Sequence, residues 1–302
     1  MSEKKDYSKK AAKLMEQIDK RIFHARKNSV NTRWTYRKRL LKFTAFLPTK
    51  FGVQKFANIS DKHVSAYVEQ LKAEGAKPST IKGHLSAIRY AHDMFDKTRH
   101  VLSGNEIHNI DNRDRIGTVK VWMDEEYQGM IEIAAFRNND LVKDAIILAR
   151  HLGLRLHETT RLSRNDLVQA MKTGEVTVKG KGGKIRSIPI DRAEVVEVFQ
   201  RRIEDTAVGD KVFVPYNLKA NQVNKSIQNF IYNHREKVLS EERKRGEGNL
   251  DKVITYHGLR HAYAKEQYDR FKAQGHTDYE ARKAVSQLLG HERDEVTRIY
   301  IQ

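Results

Sequence analysis

Cysteine is absent from all 302 residues, which excludes disulfides and thiolate zinc sites and fits a reducing compartment. No apolar run approaches the roughly 20 residues a helix needs to cross a bilayer. The opening Met1-Ser2-Glu3-Lys4-Lys5 has no apolar stretch of the kind a signal peptide carries. There is no internal repeat and no low-complexity tract, so solenoids and disordered tails are not indicated. A soluble protein without a membrane partner, cytoplasmic in location, is the expectation. The remaining shortage is of acid: 39 Asp and Glu stand against 57 Lys and Arg, for a formal charge of +18.

That imbalance points to a polyanionic partner, because Lys and Arg neutralise phosphates and release condensed counterions. It is concentrated near the start. Residues 20–60 hold eleven basic residues and no Asp or Glu, whereas a solvated helix face normally mixes the signs. Residues 1–115 carry a net +13 and the remaining 187 only +5. The N-terminal part is therefore the main electrostatic grip on nucleic acid.

With 302 residues the chain has room for two domains. Residues 6–27 have the spacing of a charged helix, so we divide the sequence into a basic leader over 1–27, a helical DNA-binding domain over 28–110, a linker over 111–120 and a second domain over 121–302. In the first domain a helix is predicted to start at Asn31-Thr32, to bury Trp34, Leu40, Leu41, Phe43 and Phe46, and to stop at Pro48. Ser60 or Asp61 caps a third helix that ends at Gly75, and Pro78-Ser79-Thr80 opens a fourth with Ile81, Leu85, Ile88 and Ala91 along one stripe. Arg33, Arg37 and Lys38 on the second helix, with Lys77, Thr80, Lys82 and Arg89 on the fourth, are the candidate phosphate contacts. Residues 98–120 are polar and irregular and read as connection between domains.

In the second domain, helices are predicted from Asp124 to Ile133 and from Asp140 to His151. Residues 175–190 alternate in the manner of strands around Gly180-Lys181-Gly182-Gly183-Lys184, which predicts a hairpin with Lys181 at its tip. Residues 235–252 are so charged that a surface loop is expected. The fold class is thus mainly α with one small hairpin.

Four segments carry chemistry. They are Gly153-Leu154-Arg155-Leu156-His157-Glu158 followed by Asp166, the Gly-Lys-Gly-Gly-Lys hairpin, His257-Gly258-Leu259-Arg260-His261, and Leu289-Gly290-His291 with Tyr300 nine residues on. His257 and Arg260, three apart, share one face of a helix. Planar guanidiniums suit the non-bridging oxygens of a phosphate, and fixed donors act most where charge rises in a transition state. A free phenol has a pKa near 10, so Tyr300 needs neighbouring cations to become a nucleophile. His257 and His261 lie four apart as in zinc proteases, but the glutamate of that motif is missing, and no metal or other cofactor is expected.

In this order and spacing the segments resemble the tyrosine recombinases, which include phage integrases, Xer proteins and Cre-like enzymes. The likeness extends over nearly the whole chain. It implies an N-terminal SAM-like core-binding domain, an α-rich catalytic domain, and a catalytic set of Arg155, Lys181, His257, Arg260, His291 and the nucleophile Tyr300. Lys181 is implied as the acid for the 5′-oxygen, while Glu158 and Asp166 are read as supporting residues. The implied activity is site-specific cleavage and rejoining of double-stranded DNA through a 3′-phosphotyrosyl link, without ATP, by a homotetramer on two sites, in the service of integration or a mobile element. Only Ile301 and Gln302 follow Tyr300, so docking of a longer C-terminal helix on the next protomer is not expected. The leader is also too short for the arm-binding domain of large phage integrases. The alternatives are a type IB topoisomerase using the same covalent step, and a DNA-binding protein without catalysis.

Overall fold

The computed structural model describes residues 2–22, 29–111, 119–180, 183–290, 297–298 and 300–301, with side chains from residue 9 onward. Two compact units are present, 1–114 and 115–302. The architecture is mainly α with one two-stranded sheet.

The first unit holds α1 (Ser2–Ile22), α2 (Val30–Phe51), α3 (Asp61–Ala73) and α4 (Pro78–His92). Its core joins Leu14, Ile18 and Ile22 of α1 to Leu40, Phe43 and Leu47 of α2 and to Leu85 and Ile88 of α4. So α1 is an integral layer of this unit, because its apolar stripe is buried while its charges face outward. Ser29, not Asn31 or Thr32, caps α2: its Oγ accepts from the Thr32 N–H at 3.2 Å. Pro48 does not end α2 but sits in its last turn, and the left-handed Gly52 terminates it. Trp34 and Leu41 prove exposed, 49% and 42%, because the buried stripe runs through Leu40, Phe43 and Leu47 instead. Part of the expected connecting segment belongs to this unit too. Leu102 and Ile110 pack against its core, His108 is buried, and the Ser103 N–H and hydroxyl both donate to Asp61.

The second unit contains α5 (Asp124–Phe136), α6 (Asp140–Leu152), α7 (Leu156–Thr159), α8 (Arg164–Thr173), β1 (Glu175–Lys179), β2 (Ile185–Pro189), α9 (Ala193–Glu204), α10 (Ala220–Val238), α11 (Glu241–Arg245), α12 (Tyr256–Ala273) and α13 (Asp278–Leu289). The amphipathic α6, which buries Val142, Ala145, Ile146, Leu148, Ala149 and Leu152, is packed on α5, α9 and α12. The strands pair antiparallel, with Lys179 opposite Ile185, and the Gly180 N–H closes the turn on the Lys184 carbonyl at 2.7 Å. The predicted surface loop at 235–252 is corrected. Its first residues complete α10, and α11 carries Arg243, which is 2% exposed and bonded through Nε and Nη2 to both oxygens of the buried Glu126.

Candidate active site

Two helix ends and one helix start build the site. Gly153, at φ +60°, ends α6 in the left-handed conformation, and Gly290, at φ +64°, ends α13 in the same way. Helix ends leave carbonyls without partners inside the helix, and here Arg260 takes one at each end. Arg260, one turn into α12, is fully buried; its Nη1 donates to the Gly153 carbonyl and its Nη2 to the Leu289 carbonyl. The ring of Tyr263 lies where a side chain on residue 153 would have to go, with its nearest atom 2.4 Å from a built Cβ. A left-handed glycine there both ends the helix and lets α12 approach.

Arg155 precedes α7 in an extended conformation. Glu158, three residues on, is 2% exposed and turns back to accept the Arg155 backbone N–H and the Arg155 Nη1, each at 2.8 Å. Arg260 Nη1 lies 4.0 Å from the same carboxylate. Burial on its own would raise the Glu158 pKa, but hydrogen bonds and charge from Arg186, with the bonds from Arg155, hold it at about 2. Burial and the charges of Arg155 and Arg186 pull the Arg260 pKa downward.

Tyr300 is 8% exposed, and its hydroxyl meets His257 Nε2 at 3.1 Å. Its ring stacks on His261 with centroids 4.2 Å apart and planes 16° apart, and the Arg260 Cζ is 5.9 Å from the ring centre. His257 is exposed to solvent. Desolvation, followed by the charges of Arg260 and Arg155, pushes its pKa down to about 4, so the ring is neutral near pH 7. Arg155, His257, Arg260 and Tyr300 are thus brought together from α7, α12 and the C-terminal segment, around two guanidiniums and a neutral imidazole. Lys181 and His291 lie outside the described residues.

Among the supporting residues, Asp166 accepts from the N–H and hydroxyl of Ser163 and so fixes the start of α8. Two residues at the site fall outside the sequence-predicted set. His261 forms the stack under Tyr300, and Arg186 of β2 joins Glu158 through both Nη atoms. Strand alternation signals the second: counting back by two from the buried Ile188 puts Arg186, rather than the 71%-exposed Ile185, on the inner face.

Of the candidate DNA contacts, Lys38, Lys77 and Thr80 are exposed and Arg33 is half-buried. Arg37 is joined to Asp19 through two bonds of 2.9 and 2.8 Å. Lys82 donates to the Asp111 carbonyl, and Arg89 reaches Ser103 and Asn105. Their placement in one unit is clear, but these last three already hold intramolecular partners.

Residues 122–302 match the model of the phage integrase family, and residues 16–95 match that of the phage integrase N-terminal SAM-like domain. The chain belongs to the phage integrase family. This family member is 24% identical over 295 residues to a tyrosine recombinase of Thermosipho africanus, covering 96% of this chain and 94% of the relative. It is 25% identical over 280 residues to the tyrosine recombinase XerD of Halalkalibacterium halodurans, covering 90% and 87%. In fold, the integrase-family chain is similar to lambda integrase in a tetramer bound to a Holliday junction, with a TM-score of 0.65 at 18% identity over 96% of this chain and 76% of that one. These relatives support a recombinase enzyme over a topoisomerase or an idle DNA-binding protein.

Proposed function

We propose that this protein is a site-specific DNA recombinase in which Tyr300 is the nucleophile. The Tyr300 oxygen attacks the scissile phosphorus, an O–P bond to the tyrosine forms, and the bond to the 5′-oxygen breaks. The phenol proton passes to the neutral His257 Nε2, already 3.1 Å from that hydroxyl. Arg155 and Arg260 supply fixed positive charge for the non-bridging oxygens. By family resemblance Lys181 protonates the leaving 5′-oxygen and His291 adds a donor to the phosphate. A 5′-hydroxyl of the partner strand then reverses the step, and because the tyrosyl link conserves the bond, no ATP is consumed.

The contact between His257 and Tyr300, with the charges of Arg155 and Arg260 acting on the same imidazole, carries this reading. The basic first unit supplies binding to duplex DNA around the cleavage site, with Lys38, Lys77 and Thr80 as its open contacts. A homotetramer on two specific sites is proposed by analogy with the lambda integrase assembly, and a cytoplasmic, DNA-associated location goes with it. Among the described residues no helix is long and apolar enough to cross a membrane.

Covalent capture tests the proposal. Wild-type protein is incubated with a plasmid library of random inserts, denatured, and the protein-linked DNA is sequenced. Adducts clustering on one sequence with wild type and none with Tyr300→Phe are the expected result. Adducts that persist in Tyr300→Phe would assign the nucleophile elsewhere, and no adduct with either protein would end the recombinase reading. Relaxation of any supercoiled plasmid regardless of sequence would indicate a topoisomerase.

A further inference from the structure

Three guanidiniums surround one buried carboxylate in this site, and only two of them belong to the set that the family resemblance implies. Arg186 meets Glu158 in a bidentate fork, Nη1 to Oε1 at 3.0 Å and Nη2 to Oε2 at 2.8 Å, and its Nε donates to the Leu288 carbonyl at 2.9 Å. Its side chain is 7% exposed and that of Glu158 fully buried. Arg186 thereby connects β2, the helix that Arg155 opens, and the end of α13 where Arg260 also docks.

The charge balance gives this contact its consequence. A buried carboxylate without full compensation is costly and draws in whatever cation can reach it. Glu158 has Arg155 Nη1 at 2.8 Å and Arg260 Nη1 at 4.0 Å. Without Arg186 its charge would be met by those two guanidiniums and the Arg155 backbone N–H, and Arg155, its side chain 21% exposed at the start of a short helix, can turn its fork inward. The positive field needed by the phosphate would then be spent on Glu158.

Resting on the recombinase reading, we infer that Arg186 is a positioning residue that satisfies Glu158 so that Arg155 keeps most of its donors for the scissile phosphate. Arg186 does not touch the substrate in this scheme. It acts through the charge of Glu158, and that dependence makes it testable.

The substrate is a duplex bearing the cleavage sequence recovered from wild-type adducts, with either an ordinary phosphodiester or a methylphosphonate at the scissile position. Wild type, Arg186→Ala, Arg186→Lys, Glu158→Gln and the Glu158→Gln/Arg186→Ala double variant are compared for duplex affinity and for rate of covalent adduct formation. Arg186→Ala should cleave the phosphodiester ~30-fold or more slowly with affinity within roughly threefold of wild type, as expected for loss of transition-state charge. In the Glu158→Gln background the same substitution should cost less than about fivefold, because the charge it compensates has gone. On the methylphosphonate, which has one non-bridging charge fewer, the Arg186→Ala penalty should likewise shrink, and Arg186→Lys should recover part of the phosphodiester rate. Equal penalties in both backgrounds and on both substrates would mean that Arg186 only holds the fold, and would overturn the inference. If Arg186→Ala does not fold, the comparison of Glu158→Gln with the double variant still decides, since a large further loss there also overturns it. Failure of wild type to form adducts would instead count against the recombinase reading itself.

Discussion

The Tyr300 hydroxyl lies 3.1 Å from Nε2 of His257, while the Tyr300 ring lies flat on His261. The two histidines are one helical turn apart on α12, so one fixes the phenol oxygen and the other the ring. His257 can accept the phenol proton only if it is unprotonated at working pH. Desolvation of the ring, followed by the charges of Arg260 and Arg155, disfavours the imidazolium.

His257 should therefore show no titration between pH 5.5 and 8 in the DNA-free protein. Its pKa lies at about 4, so protonation belongs below that window. Imidazole resonances followed by NMR, assigned with His257→Gln, provide the check. A midpoint near 6.5 would show that Arg155 and Arg260 do not act on the ring as the geometry implies, and would remove His257 as a proton acceptor.

Arg260→Lys should be nearly as damaging as Arg260→Ala. The guanidinium reaches the carbonyls at the ends of both α6 and α13, and a single ammonium cannot span the two. We expect adduct formation to fall ~100-fold or more and stability to fall by about 1–3 kcal/mol from the carbonyl left unpaired. Retained cleavage in Arg260→Lys would show that one point charge is enough.

Much of this arrangement was legible in the sequence because helix chemistry is local. Gly153 and Gly290 signal left-handed helix ends, and His257 with Arg260 signals one helical face. The family resemblance adds Arg155 and Tyr300 to that pair, and the structure brings Arg155, His257, Arg260 and Tyr300 together. What was not legible depends on distant partners. Arg243 reads as one charge among many until Glu126, 117 residues earlier, is found bonded to it in the core. Arg186 likewise reads as one more charge of the hairpin until Glu158, 28 residues earlier, is found bonded to it. The end of α2 was misplaced because Pro48 falls where the turn it occupies can still close.

Acid should weaken the first unit through His84. This imidazole is 7% exposed, its Nδ1 lies 3.1 Å from the Tyr67 hydroxyl, and burial followed by the charge of Arg39 lowers its pKa to about 4. The unfolded chain, with an ordinary pKa near 6.5, binds the proton more readily, so the stability is complete above that value and is lost as pH falls toward 4. The loss should be on the order of 2 kcal/mol. Denaturant melts at pH 7 and 4.5, comparing wild type with His84→Gln, measure it. An equal pH dependence in both proteins would place the acid sensitivity elsewhere.

Removing Arg243 should cost far more than a surface arginine would. Its guanidinium bonds to Glu126, to the Val121 carbonyl and to the Asp251 carbonyl, and both charged side chains are fully buried. Arg243→Met strands a carboxylate in the core, for about 3–5 kcal/mol. Adding Glu126→Gln should restore part of that loss, because the amide carries no charge to compensate. Chemical denaturation of the single and double variants decides the matter, and a double variant less stable than Arg243→Met would refute it.

Gly258 is the last test, because it lies between His257 and Arg260 yet has no left-handed backbone to explain it. A Cβ at that position would sit 2.4 Å from the Lys120 carbonyl oxygen and 2.6 Å from the Trp122 ring. The indole cannot yield freely, since its Nε1 donates to the Thr255 carbonyl at 2.8 Å and Trp122 is 2% exposed. Gly258→Ala must therefore push the start of α12 away from the segment at 120–122. We expect a loss of about 2–3 kcal/mol in stability, within the range of overpacked cores. The same shift moves His257 relative to Tyr300, so adduct formation should drop even at temperatures where the variant stays folded. Wild-type stability in Gly258→Ala would mean that α12 and Trp122 can separate without cost, and a folded variant with full cleavage would mean that the contact between His257 and Tyr300 does not depend on that packing.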